Sequence, residues 1–78
     1  MVEITFTVTD ARAVIDGKSY KTGDKLTVVA GETFEMTVTP ADGKTTTAVI
    51  YGSAQTGFGG VYEITAVSGT TALSVVCS

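Results

Sequence analysis

The chain predicts an all-β domain, a small antiparallel sandwich or barrel of about seven short strands. Three observations predict it. Apolar and polar residues alternate at period two along most of the 78 residues. Turn signals built on Gly, Asp and Pro close each run at a spacing of roughly eight to twelve residues. No window of useful length repeats at the helical period of about 3.6 residues.

Val2 to Thr9 is the clearest strand, with Val2, Ile4, Phe6 and Val8 on one face and Glu3, Thr5, Thr7 and Thr9 on the other. Thr suits the wet face because its β-branch fits a pleated backbone. Asp10, Ala11 and Arg12 then turn the chain. Ala13-Val14-Ile15 and Lys18-Ser19-Tyr20-Lys21 flank Asp16-Gly17, the strongest short hairpin signal, since both central residues of a type I′ turn need positive φ. Gly23-Asp24 makes the next turn, before a third short run from Leu26 to Val29. After Ala30-Gly31-Glu32, Thr33 to Thr39 alternates again, with Phe34, Met36 and Val38 facing in. Pro40 ends that run, because it has no N–H to give a ladder. Beyond the Asp42-Gly43 corner, Thr45 to Tyr51 resumes extended structure with Val49 and Tyr51 inward. Gly52 to Gly60 is the longest irregular stretch. Val61 to Val67, with Tyr62 and Ile64 inward, precedes the Ser68-Gly69-Thr70 turn. Leu73, Val75 and Cys77 form the inner face of a terminal strand.

No linker or second composition interrupts this pattern, so residues 1–78 form a single domain. A domain of this length buries only about 60% of the surface its unfolded chain exposes, which makes its core marginal. The one cysteine, Cys77, cannot close an intrachain disulfide. Association with further copies or with a larger assembly is therefore the expected source of added burial.

Net charge is −3, which gives no electrostatic footprint for nucleic acid. Lys18, Lys21 and Lys25 cluster in sequence and read as protection of a hairpin edge rather than a phosphate site. Nothing is apolar for long enough to span a bilayer, so membrane insertion is not expected. The N-terminus enters a strand directly, with neither a basic nor an apolar leader region, and the sequence shows no signal peptide.

The residue inventory argues against catalysis. A Ser or Cys nucleophile needs a base within reach, most often His, and the chain has no His. Cys77 lies in an apolar strand, where a thiol is buried and inert. Glu3, Glu35 and Glu63 fall on outward strand positions. Asp10, Asp16, Asp24 and Asp42 fall at turns, where Asp bonds its own backbone. No D-x-D-x-D run supplies calcium ligands, although turn aspartates at one end of a sandwich are the nearest approach to such a site. No metal, cofactor or catalytic residue is assigned. Tyr20, Tyr51 and Tyr62 are dispersed over three strands and read as packing rather than as a sugar platform. Thr45-Thr46-Thr47 has the propensity of an edge strand that pairs with another chain, though solvated threonine on a pleated surface is the better explanation.

The segment Gly52-Ser53-Ala54-Gln55-Thr56-Gly57-Phe58-Gly59-Gly60 is the candidate partner-binding loop, centred on Gly57, Phe58 and Gly59. Its glycines lack the Lys-Ser/Thr and following helix of a phosphate cradle. Phe58 admits two roles, of which a cap folded back over the core is favoured over an exposed anchor for a partner's pocket.

The run "VVAGETFEMTVTPADGK" resembles the centre of small bacterial surface repeats, and "VYEITAVSGTTALSVVC" resembles their ending. The group is that of immunoglobulin-like and divergent internalin-type B-repeat modules of bacterial adhesins, and similar folds serve as accessory domains in tailed-phage virion proteins. The likeness spans Leu26 to Cys77. It departs at Lys44, where the repeats carry an aromatic, and at "AVIYG", a reduced form of their next element. The resemblance implies an immunoglobulin-like sandwich with a non-catalytic role, and it supplies no binding residues. With the direct start, the absence of a secretion signal and the marginal core, the expectation is a tailed-phage virion decoration (auxiliary capsid) protein that binds a protein lattice. The alternative is an adhesive or spacer repeat of a bacterial cell-surface protein.

Overall fold

A computed structural model describes all 78 residues and contains nine strands and no helix. They are β1 (Val2–Thr9), β2 (Ala11–Ile15), β3 (Lys18–Tyr20), β4 (Lys25–Val28), β5 (Thr33–Pro40), β6 (Thr46–Tyr51), β7 (Ser53–Ala54), β8 (Val61–Thr65) and β9 (Ala72–Cys77). One sheet has the order β4-β1-β9-β6-β7 and the other the order β3-β2-β5-β8. The two sheets face each other as a small β-sandwich, which settles the choice between sandwich and closed barrel.

The core is what the alternation predicts. Val2, Ile4, Phe6, Val49, Tyr51, Leu73, Val75 and Cys77 from the five-stranded sheet meet Ala13, Ile15, Tyr20, Met36, Val38, Ile64 and Ala66 from the other side. No polar or charged side chain is buried among them. Each fully buried large side chain stabilises the fold by about 1.5–3 kcal/mol. Phe6 and Tyr20 stack across the sandwich, with ring centroids 4.8 Å apart, a geometry that adds to simple area burial. The hydroxyl of buried Tyr51 donates to the Thr70 carbonyl (2.8 Å) and accepts from the Val67 N–H (3.0 Å). Its polar end is thereby satisfied, and the last turn is fixed to β6.

Local chemistry sets the corners. Asp16 and Gly17 have φ of 51° and 76°, both positive as a type I′ turn requires. Asp10 also lies in the left-handed region (φ 53°), where the chain leaves β1 for β2 in the opposite sheet. Aspartate tolerates that conformation better than most side chains. On the β3–β4 side the sheets are joined through Lys21–Asp24. Asp24 accepts the Lys21 N–H through its carboxylate (3.0 Å) and the Phe6 N–H through its carbonyl (2.9 Å).

Three features differ from the sequence reading. Every ladder is antiparallel except β1–β9, which is parallel. Parallel neighbours need a long crossover, and here nearly the whole chain provides it. The strand count exceeds the expected seven, in part because Ser53–Ala54 folds back on β6 within the stretch read as irregular. Ala11 and Arg12, read as part of a turn, are instead the first residues of β2, paired with Pro40 and Thr39, while Pro40 ends β5 as expected.

Candidate interaction surface

The stretch from Gly52 to Gly60 is bonded along most of its length. Gln55 gives its main-chain N–H to the Val49 carbonyl (2.7 Å), and its side-chain amide reaches the carbonyls of Tyr51 (3.3 Å) and Ser53 (3.1 Å). Gly57 then passes so close to β8 that an added Cβ would lie 2.6 Å from Tyr62 Cε2 and 2.7 Å from the Val61 carbonyl oxygen. Phe58 and Val61 exchange N–H···O bonds of 3.0 and 3.1 Å around Gly59 and Gly60, whose φ values are 62° and 84°. This is a two-residue turn of the primed kind. Gly60 in turn accepts the Val38 N–H (2.7 Å), which ties the turn to β5.

The consequence is the position of Phe58. Its side chain is 93% exposed, the highest exposure of any large apolar residue in the chain. It does not cap the core, so of the two roles weighed for it the folded-back one is excluded. The reason is local. Val61, directly opposite Phe58, is only half-buried on the outer face, and a tight turn leaves Phe58 no freedom to swing between the sheets.

The other singled-out residues lie as follows. Tyr20 and Tyr51 are buried and Tyr62 packs against the core, so the three tyrosines form no exposed platform. Cys77 is a free, buried thiol against the Thr46 hydroxyl, at 3.6 Å. Lys25 pairs with Glu3 (3.6 Å) on the β4 edge, and Lys18 holds its ammonium 5.3 Å from the centroid of the Tyr20 ring. Lys44 reaches Asp10 at 4.0 Å. No three His, Cys, Asp or Glu side chains are grouped to hold a metal ion. Thr46 pairs with Cys77 in β9, and the Thr47 hydroxyl bonds that of Ser78 (2.7 Å), while no strand lies on the other side of these residues.

Two features escaped the sequence reading. Arg12 stands between two shallow, open depressions of about 330 and 320 Å³. The second is lined by Ala11, Arg12, Ser19, Tyr20, Lys21 and Asp24. Glu35 and Glu63 are paired directly across the β5–β8 ladder, both exposed. The alternation gave each glutamate an outward direction, but no local signal gave them one another as neighbours.

Comparison with protein-family models, with characterised proteins and with solved structures produced no match. No helix is long and apolar enough to cross a membrane.

Proposed function

We propose that this protein is a non-enzymatic interaction module, a decoration protein bound in many copies to the shell of a tailed-phage virion. The observation that carries this reading is the display of Phe58, 93% exposed and flanking a two-glycine turn anchored to both β5 and β8. An exposed aromatic ring on a pre-formed turn loses little conformational freedom on docking, which is how a few anchors come to dominate a protein interface. The mechanism is mechanical: the ring enters a pocket of a neighbouring protein in the assembled shell, and surrounding main-chain and apolar contacts exclude water around it. The Leu26–Cys77 segment resembles bacterial surface repeats, and similar folds serve as accessory domains of virions, so the likeness fits a shell and fits a surface repeat equally.

A second reading has its own support. The parallel β1–β9 pairing sends the chain in at one end of the sandwich and out at the other, along a body 36 Å in its longest extent. Domains with termini at opposite ends join in tandem without doubling back, as a spacer repeat of a bacterial surface protein would.

Location separates the two. An antibody against the chain is applied to gradient-purified virions and to washed cell envelopes from the source culture. Signal in the virion band supports decoration, and signal confined to envelopes supports the spacer. Signal in neither overturns both.

A further inference from the structure

Phe58 and the second depression beside Arg12 lie on opposite lateral sides of the same sheet, and the ladders relate them. Ser19 pairs with Val14, Val14 with Thr37, Thr37 with Val61, and Val61 bridges Phe58. Ser19, which lines the depression, and Phe58 are therefore the two ends of one cross-strand row. A copy displaced along that row, without rotation, brings the Phe58 of the first molecule to the Ser19 of the second.

Strand direction permits this in both sheets. In the four-stranded sheet every ladder is antiparallel, so the outer strands β3 and β8 run oppositely. In the five-stranded sheet the single parallel pair reverses the usual parity, so β4 and β7 also run oppositely. Five wholly antiparallel strands would have given outer strands running the same way. The connection Lys21–Asp24 puts β3 and β4 on one side, and Gln55–Gly60 puts β7 and β8 on the other. Translated copies thus bring outer strands of opposite direction together in both sheets, while at Phe58 itself the outermost segment runs with β3. At β8 the edge is open: Val61 spends its N–H and C=O on Phe58, so by antiparallel alternation Glu63 and Thr65 also turn theirs away from β5.

The two sides also differ in charge. Glu35 and Glu63 face each other at the β8 edge with no cation paired to either, and like charges placed so destabilise the isolated sheet. On the β3 side Arg12, Lys18 and Lys21 make no ion pair, and Asp24 is the one carboxylate lining the depression. The depression there is shallow and open, so a phenyl ring lies against its floor rather than being enclosed. Arg12 and Lys21 at its rim supply the cations that favour an aromatic face.

We propose that copies of this chain associate head to tail, the Phe58 ring of one seating in the depression lined by Arg12, Ser19 and Lys21 of the next. The contact is heterologous, so it leaves a free knob and a free depression at the ends of every oligomer. It rests on the reading of Phe58 as an anchor and names its partner as a second copy.

The test is sedimentation equilibrium of the full chain across a concentration series, with two variants. Phe58→Ala removes the knob, and Ser19→Tyr fills the depression from an exposed strand position. Wild type is expected to form a concentration-dependent series that shortens as salt rises. Each variant alone is expected to associate about tenfold to hundredfold more weakly. An equimolar mixture of the two is expected to recover a 1:1 dimer of wild-type affinity, because each variant retains the half that the other lacks. Far-ultraviolet circular dichroism of both variants checks that the fold persists. Wild type that stays monomeric to millimolar concentration overturns the head-to-tail contact, and so does a mixture no tighter than the separate variants. Neither result touches the virion reading, which the antibody experiment decides independently.

Discussion

Glu35 and Glu63 stand directly opposite each other on the solvent face of the β5–β8 ladder. Two like charges at such a pair cost roughly 0.2–1 kcal/mol, and an opposite pair gains a similar amount. Glu63→Lys is therefore expected to stabilise the monomer by up to about 2 kcal/mol, the removed repulsion and the new attraction adding. Urea unfolding in low salt, at a concentration too dilute for association, measures it. An unchanged midpoint would show that solvent already screens the pair.

Phe58 and Gly57 are adjacent and should behave oppositely. Phe58→Ala removes a side chain that touches little, so its effect on stability is expected within about 0.5 kcal/mol. Gly57→Ala places a methyl group against the Tyr62 ring and the Val61 carbonyl. The backbone contact cannot yield as a flexible side chain would, and the strain is expected to cost about 1–3 kcal/mol. Thermal unfolding of the two variants side by side checks both. Equal losses would contradict the exposure of Phe58.

Tyr51→Phe keeps the packing and deletes one oxygen. The Thr70 carbonyl and the Val67 N–H both lose a partner in a half-buried setting. The expected loss is about 1–2 kcal/mol, with faster amide exchange at Val67. Amide exchange followed by NMR reads the local effect, and an unaltered Val67 rate would show that another group holds the turn.

Cys77 is predicted to be inert in the native state. It is 1% exposed on β9, which is hydrogen-bonded on both sides. Reaction with a thiol reagent should await opening of that strand and run at least about a thousandfold slower than in urea. Rapid native labelling would place β9 among the easily opened parts of the fold.

The inner faces of β1, β5, β6, β8 and β9 were legible in the sequence, because side-chain alternation is local and needs no knowledge of the neighbouring strand. Asp16-Gly17 was legible for a similar reason: the turn depends on the conformational range of two adjacent residues. The candidate loop was found through its glycines, yet its internal bonding was not. Gln55 carries no special signal, and Gly57 is explained only by the Tyr62 ring and the Val61 carbonyl, which lie across a turn. The sequence favoured a cap for Phe58, because a large apolar side chain is more often buried, and only the two-glycine turn against β8 places the ring outside.

The sequence by itself determined that this is a two-faced strand protein, which residues enter its core, and where it turns. Tertiary structure alone decided which strands are neighbours. Pairing brings together segments far apart in the chain, and a period of two records only the side a residue faces, never the strand beside it. From that one decision follow the parallel β1–β9 pair, the opposed glutamates, and the row that runs from Ser19 to Phe58.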